Sequence, residues 1–204
     1  MKLHWSPKSP YVRKVMVCVH ELQLLPRIEL VRSVAAMLKP NPALMRDNPL
    51  SKIPTLVLDD GPALFDSAVI CEYLNEVARG SLFPPRGPLR WSALRWQAFG
   101  DGLLDALILW RNERERGPGL CSTDLMAAFE LKTRATLAQL EREVPALQDA
   151  PFGIGHIAVY CALGYLDFRF DTLQWRAASP ALTVWHGALQ TRPAFVATEP
   201  SLDG

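Results

Sequence analysis

A proline-rich stretch at residues 81–88 divides this 204-residue sequence into two parts with different patterns. It reads SLFPPRGP, and prolines at this density interrupt regular structure because proline lacks the backbone N–H that helices and strands need. Segments typical of strands occur only before it, and the patterned segments after it are helical. We therefore predict an α/β domain over residues 1–80, a linker over 81–88 and an all-helical domain over 89–204.

The first part predicts a small sheet covered by helices. Val12, Val15 and Val19 recur at helical spacing after a loop that contains two prolines. The DDG turn signal at residues 59–61 predicts an antiparallel pair, whereas the strand–helix–strand order at the start demands a parallel crossover. A mixed four-stranded sheet follows, with strands expected near residues 1–5, 28–31, 53–58 and 63–65.

Helical patterns fill the second part. Residues 154–170 are almost entirely apolar, which is typical of a helix that other helices surround. Pro145 predicts the end of the preceding helix, because proline interrupts the helical hydrogen bonds. We expect a helix bundle with helices over residues 89–116, 124–144, 154–170 and 180–190.

Charge and cysteine content limit the classes of function. With 22 basic and 21 acidic side chains and a net charge of +1, the chain has no electrostatic basis for binding nucleic acid or an anionic membrane. Its longest apolar stretch, residues 152–166, is too short to span a bilayer, and its start has no apolar signal core. None of the four cysteines pairs in a CxxC or metal-type spacing. We expect a cytoplasmic protein with reduced thiols and no metal.

Several segments resemble motifs of the glutathione transferase superfamily, in the family's order and spacing. Residues 48–56, NPLSKIPTL, resemble the family's NPxGxVPxL, and residues 64–74, LFDSAVICEYL, resemble Lx(E/D)SxAIxxYL. Residues 6–15, SPKSPYVRKV, resemble the opening of many bacterial members, and residues 192–195, RPAF, resemble the usual C-terminal RPxF. The resemblance implies a thioredoxin-like first domain and an all-helical second domain.

The resemblance also implies where glutathione would bind. It implies a cis bond between Ile53 and Pro54, which would leave the Ile53 N–H and C=O free to pair with the cysteinyl backbone of glutathione. From the residues alone, a trans proline that opens a strand is the ordinary interpretation. Ser67 would hold the γ-glutamyl carboxylate and Asp66 the ammonium, although both are also common helix-capping residues. Lys52 is placed to reach a glutathione carboxylate, or is a solvated charge.

The group that would stabilise the glutathione thiolate is expected in the loop before the first helix. A hydrogen bond or positive surroundings favour a thiolate. Ser9 stands where family members carry a serine or cysteine, so the resemblance implies it as the catalytic residue; a cap for the helix that starts at Pro10 is an equal alternative. Ser6 is the second candidate and Tyr11 the third. The loop has no cysteine, which argues against disulfide exchange because a hydroxyl cannot form a mixed disulfide.

The second substrate would be a small apolar electrophile, held in a pocket between the domains. Its candidate walls are Tyr11, Leu107, Trp110 and Arg111, although most such residues are core in any helix bundle. Asp101 is a candidate contact to glutathione across the interface of the homodimer that the resemblance implies.

Two positions depart from the family pattern. Residues 153–156, GIGH, stand where members usually carry Ser/Thr-x-x-Asp, so the reciprocal cap of the buried helix is lost at a cost of ~1 kcal/mol. His156 is interpreted as a structural histidine, with a different hydrogen bond as the way to compensate. Ser51 stands where glycine is common, and it adds strain if the position requires a positive φ.

Two functions stay open at the level of the sequence. The first is a glutathione transferase, a detoxification enzyme that stabilises the thiolate through Ser9 and adds it to the electrophile without a metal. The second is a binding or scaffold protein that keeps the fold and the glutathione cleft without turnover. Reductase chemistry of the cysteine type is weakened by the missing cysteine.

Overall fold

The computed structural model describes residues 1–202 and divides the chain into two compact units. The first comprises Met1–Pro85 with residues 192–202, and the second is Arg86–Thr191. Among the described residues, no helix is both long enough and apolar enough to cross a membrane. The helices in chain order are α1 (Pro10–Glu21), α2 (Pro42–Met45), α3 (Ser67–Val77), α4 (Pro88–Arg114), α5 (Thr123–Asp149), α6 (Ile154–Arg169), α7 (Trp175–Ala178), α8 (Pro180–Gln190) and α9 (Pro193–Val196), with short 3₁₀ turns at Leu25–Arg27 and Asp171–Leu173.

The first unit contains a mixed three-stranded sheet in the order β2-β1-β3. Strand β1 (Lys2–Trp5) runs parallel to β2 (Glu29–Arg32) and antiparallel to β3 (Thr55–Val57). Leu3 and Leu56 are opposite each other in the β1–β3 register and are both fully buried. The sheet with its helices confirms the predicted thioredoxin-like α/β fold, and the mostly helical remainder of the chain confirms the second part of that prediction.

The expected fourth strand at residues 63–65 is reduced to one bridge. Leu56 and Leu64 exchange two backbone hydrogen bonds of 3.0 and 2.8 Å, and the described residues form no longer ladder there. In an antiparallel ladder the next hydrogen-bonded pairs would contain Pro62 on one side and Pro54 on the other. Neither proline has an N–H to donate, so the pairing stops after a single pair.

Helix α9 belongs to the first unit, whereas the sequence pattern predicts it as part of the helical domain. Arg192 makes a bidentate ion pair with Glu21 at the end of α1, with both N···O distances at 2.6 Å. Phe195 is fully buried, and its carbonyl accepts a hydrogen bond from the Arg13 guanidinium at 3.4 Å. The last helix is therefore held to α1 by both charge and apolar packing.

Helix α6 is the centre of the second unit. Every residue from Ile154 to Leu166 is buried, which confirms the interpretation of this apolar segment as a surrounded helix. Gly100 of α4 faces the backbone of Ala158, and a Cβ on this glycine would lie 2.5 Å from the Ala158 carbonyl carbon. The close α4–α6 packing therefore requires glycine at position 100.

Helix α5 continues through Pro145 to Asp149, so the predicted end at residue 144 is wrong. An internal proline removes one helical hydrogen bond and costs about 3 kcal/mol. The residues on either side of it, Val144 and Leu147, are buried apolar side chains. Their packing maintains the helix across the proline, as tertiary burial often does when it opposes local preference.

The missing cap of α6 is replaced by His156. The Gly153 N–H donates to His156 Nδ1 at 3.3 Å, and Nε2 on the other side of the ring lies 2.7 Å from the Leu147 carbonyl oxygen. Because Nδ1 accepts, Nε2 carries the hydrogen and donates to that carbonyl. The histidine thus satisfies one orphan N–H at the helix start and ties α6 to α5, as the structural interpretation expects.

Candidate functional site

The loop before α1 presents two serine hydroxyls. Ser9 is the N-cap of α1, and its Oγ accepts a hydrogen bond from the Val12 N–H at 3.3 Å. Ser6 is buried, and its Oγ lies 3.4 Å from the Lys8 backbone nitrogen, which donates to it. A hydroxyl that accepts with one lone pair still has its own hydrogen to donate. Capping by Ser9 is therefore compatible with donation to a second group.

Residues 48–55 form a loop that is fixed by Asn48. This side chain is fully buried, and its Nδ2 donates to the Lys52 carbonyl at 3.2 Å and to Thr55 Oγ1 at 2.9 Å. Its Oδ1 accepts from the Leu50 N–H at 3.0 Å. One amide thus satisfies groups at three positions of the loop and holds the segment that precedes β3 in one shape.

Ser51 has a φ of +53°, the conformation that a glycine would adopt without strain. Its Oγ accepts a hydrogen bond from the Asn41 N–H at 2.8 Å. The serine therefore offsets its backbone strain by a contact that glycine could not make. This contact ties the loop to the start of α2.

The Ile53–Pro54 bond is cis, as the resemblance implies. Neither the N–H nor the C=O of Ile53 has a hydrogen-bond partner among the described residues. Pro54 is buried, whereas Ile53 is half-buried. A backbone N–H and C=O left unpaired at one residue can bind an extended peptide in the way that a strand edge does.

The start of α3 provides a second group of unpaired donors. Asp66 is the N-cap, and its carboxylate accepts from the Ala68 N–H at 2.9 Å while it remains exposed. Ser67 is only 3% exposed, yet neither its hydroxyl nor its N–H has a partner among the described residues. Unpaired donors at a helix N-terminus favour an anion such as a carboxylate. Lys52, on the loop that precedes β3, has an exposed side chain.

The candidate walls of the second-substrate pocket belong to different units. Tyr11 is in the first turn of α1 and is half-buried. The other three lie on α4, where Leu107 is fully buried and Trp110 packs against Phe170 with ring centroids 4.9 Å apart. These two side chains are core residues of the helical unit.

Arg111 is held by two contacts within the helical unit. Its Nη1 donates to the Tyr165 hydroxyl at 3.3 Å, and its Nε lies 3.0 Å from a Glu115 carboxylate oxygen. Burial disfavours the charged guanidinium, but these two contacts outweigh that effect and raise the pKa of Arg111. The guanidinium is therefore charged and oriented.

The contacts of His4 in β1 are not predicted by any motif in the sequence. Its Nδ1 lies 2.8 Å from Ser33 Oγ, and its Nε2 lies 2.8 Å from Asp47 Oδ2. Ser33 follows β2 and Asp47 directly precedes Asn48, so these partners are 29 and 43 positions away in the sequence. The one available signal is a histidine between apolar neighbours in a strand pattern.

Residues 8–77 match the family model described as glutathione S-transferase, N-terminal domain. Over 203 residues the chain is 30% identical to the uncharacterised GST-like protein YibF of Escherichia coli K12, a match that covers 98% of both chains. With its thioredoxin-like unit and its helical unit, this chain therefore belongs to the glutathione transferase superfamily.

Two solved structures extend this likeness. A glutathione transferase family member from Pseudomonas fluorescens Pf-5, crystallised with bound glutathione, is 43% identical with a TM-score of 0.95, and the match covers 98% of this chain and 99% of that one. A structure of a Pf-5 family member with bound S-(propanoic acid)-glutathione is 41% identical with a TM-score of 0.89 and covers 99% and 100% of the two chains.

Proposed function

We propose that this protein binds glutathione and adds its thiolate to a small apolar electrophile. The observation that carries the proposal is the unpaired N–H and C=O of Ile53, which match the backbone of an extended cysteinyl residue. The Pf-5 relatives bind glutathione and a glutathione conjugate, which supports the same ligand for this chain. The thiol proton leaves to solvent, and the thiolate sulfur forms a bond to an electrophilic carbon. With an aryl halide the carbon–halogen bond breaks and halide leaves with its electron pair, whereas with an activated double bond the π electrons move to the neighbouring carbon, which takes a proton from solvent.

The charged groups of the tripeptide have complementary partners on the loop before β3 and at the start of α3. The γ-glutamyl carboxylate accepts hydrogen bonds from the Ser67 hydroxyl and N–H, and the Asp66 carboxylate pairs with the ammonium of the same residue. The Lys52 ammonium pairs with the other carboxylate of glutathione, at the glycyl end. Each charge of the ligand thus meets a group of opposite charge or a free donor.

The thiolate is stabilised by the hydroxyl of Ser9. A donor to sulfur lowers the pKa of the glutathione thiol and increases the thiolate fraction at neutral pH. Ser9 caps α1 through a lone pair and keeps its hydrogen for the sulfur. Ser6 is the second candidate, because it lies in the same loop but is buried. Of the four candidate walls for the electrophile, Leu107 and Trp110 are core residues, so Tyr11 and Arg111 remain as candidate contacts because both are half-buried. We expect the protein to act as a cytoplasmic homodimer.

Isothermal titration calorimetry with reduced glutathione and conjugation to a generic aryl halide test this function separately. We expect Ser67→Ala to weaken binding by about tenfold, because one charge-assisted hydrogen bond is lost. We expect Ser9→Ala to lower kcat/KM by about 100-fold, which is the usual effect of removing one donor to a developing anion. Ser6→Ala should change kcat/KM by less than about twofold.

Ser122→Ala is the matched control for the loss of a helix cap. Ser122 caps α5 by accepting from the Leu125 N–H at 3.2 Å, in the same way that Ser9 caps α1. Both alanine variants therefore lose about 1 kcal/mol of capping free energy, but only Ser9→Ala should lose conjugation. The whole proposal would be refuted if calorimetry of the wild-type protein with millimolar glutathione detected no binding heat. Equal conjugation rates for Ser9→Ala and Ser122→Ala would remove Ser9 from the mechanism.

A non-catalytic glutathione-binding protein is the second candidate. The observation that favours it is that capping α1 already accounts for a serine at position 9, so this residue needs no catalytic role. This function predicts normal calorimetric binding and no conjugation of any electrophile above the rate of free glutathione.

A further inference from the structure

His4 connects three parts of the first unit that are distant in the sequence. It lies in β1, is 7% exposed and is paired with Thr55 of β3 in the sheet register. Its ring contacts Ser33 beyond β2 through Nδ1 and Asp47 through Nε2. A carboxylate accepts only, so the Nε2–H donates to Asp47.

The contact with Asp47 leads directly to the loop with the unpaired Ile53 backbone. Asp47 is followed by Asn48, whose buried amide holds the Lys52 carbonyl and Thr55 Oγ1. His4 therefore fixes the first end of this loop through its side chain, and the second end through the backbone pairing of β1 with β3. Both ends of the segment from Asn48 to Thr55 are tied to one residue.

Ser33, His4 and Asp47 are also the residue types of a nucleophilic triad, but the geometry does not support one. Ser33 is 6% exposed, and its hydroxyl donates to the Val31 carbonyl at 3.3 Å. A nucleophile must be reached by its substrate and must transfer its hydrogen to the histidine. The contacts instead suit a structural link between chain segments.

We propose that His4 is a positioning residue for glutathione: by donating to Asp47 it holds the loop of residues 48–54 in the conformation that binds the tripeptide. The inference rests on the proposed function, and it adds a residue that does not touch the ligand. Without the link, the binding conformation of the loop is populated only part of the time, and the apparent Kd rises by the inverse of that fraction. A loop that is correctly placed one tenth of the time binds about tenfold more weakly.

Two amide substitutions separate the two contacts of His4. An asparagine side chain is long enough to place its amide where His4 Nδ1 lies. The longer glutamine side chain places its amide where His4 Nε2 lies. His4→Gln therefore keeps a donor for Asp47, whereas His4→Asn keeps only the contact to Ser33. The variants match in polarity and remove the ring equally, so a general loss of packing affects both.

The test is the Kd of reduced glutathione by calorimetry, measured well below the unfolding temperature of each variant. We expect His4→Asn and Asp47→Ala each to raise the Kd by about tenfold, and the double variant to be no weaker than either, because both remove the same link. His4→Gln should stay within about threefold of wild type. In conjugation assays the KM for glutathione should rise while kcat changes by less than about twofold.

Equal Kd values for His4→Asn and His4→Gln would overturn the inference, as would an additive double variant. If His4→Asn does not fold, Asp47→Ala with a wild-type Kd is sufficient to refute it. Hydrogen exchange gives a second readout without ligand, because the amides of residues 48–53 should exchange faster in Asp47→Ala than in wild type. A wild-type protein that binds no glutathione refutes the proposed function instead, so the two failures are distinct.

Discussion

The carboxylate of Glu143 joins α5 to α4 and makes the stability of the helical unit dependent on pH. It accepts hydrogen bonds from both terminal nitrogens of Arg95 at 2.7 Å and from Trp96 Nε1 at 2.8 Å. Gln139 Nε2 donates to it as well. The hydrogen bonds from Arg95, and then those from Gln139 and Trp96, outweigh burial and lower the pKa of Glu143 from its ordinary value of 4.5 to about 2.

This lowering sets the magnitude and the sign of the effect. A fall of the pKa from 4.5 to about 2 corresponds to ~3 kcal/mol of stability at neutral pH. Because 52% of the Arg95 side chain is exposed, solvent screens the pair and we expect ~2 kcal/mol. This stabilisation is complete at pH values above the pKa of Glu143 in the unfolded chain, and it is lost as the pH falls through the pKa of Glu143 in the folded protein. We therefore expect Glu143→Gln to cost ~2 kcal/mol at pH 7 and about half of that at pH 3.

Urea unfolding followed by tryptophan fluorescence measures the unfolding free energy of the helical unit, because every tryptophan except Trp5 lies in that unit. The control is Glu130→Gln. Glu130 pairs with Arg134 at 2.7 Å, but both side chains are exposed, so the loss should be below about 0.5 kcal/mol. A difference between wild type and Glu143→Gln that stays constant from pH 7 to pH 3 would refute the reasoning. So would equal losses for the two variants at pH 7.

Three further substitutions test packing, strain and capping by urea unfolding. Gly100→Ala should lower the unfolding free energy by ~2 kcal/mol or more, because its Cβ would meet the Ala158 backbone. The control Gly102→Ala has open space around its Cβ and should raise the unfolding free energy by about 0.5 kcal/mol. Equal changes for the two variants would contradict this packing. Ser51→Ala should cost ~1 kcal/mol because it keeps the strain and loses the hydrogen bond, and should be less stable than Ser51→Gly. His156→Phe keeps a ring but leaves two buried backbone groups unpaired, so we expect a loss of ~2 kcal/mol; a neutral result would show that the ring alone matters.

Local patterns were sufficient for the elements whose stability is local. A serine followed by proline predicted the start of α1 at Pro10, and the cap geometry of Ser9 agrees. The continuous apolar run predicted a surrounded helix because a side chain on every face of α6 needs an apolar neighbour. Both predictions depend only on residues that are close in the chain.

Elements that depend on distant contacts were predicted less well. Helix α5 crosses Pro145 because of burial on both sides of the proline, which the local sequence does not encode. The fourth strand is limited to one bridge because Pro54 and Pro62 have no N–H to donate on either side of it. Predicting this limit requires knowledge of the strand register, which the local sequence does not give. In each case tertiary structure determines what a single proline does.

The candidate site follows the same division. The resemblance places the residues of the proposed glutathione site in short motifs, and the cis Ile53–Pro54 bond, which the resemblance alone implies, is present in the structure. The link from His4 to Asp47 spans 43 positions and carries no motif. Only the folded chain brings these two side chains together.

The packing of α9 against α1 determines how this protein can be divided into fragments. A fragment that ends at Pro85 would lack Phe195, a fully buried side chain of the same unit. Deleting a buried phenylalanine side chain alone costs about 3–5 kcal/mol, a large share of what holds a domain of this size together. We therefore expect a fragment of residues 1–85 to lack part of its own core, and removal of α9 to destabilise the unit that contains α1.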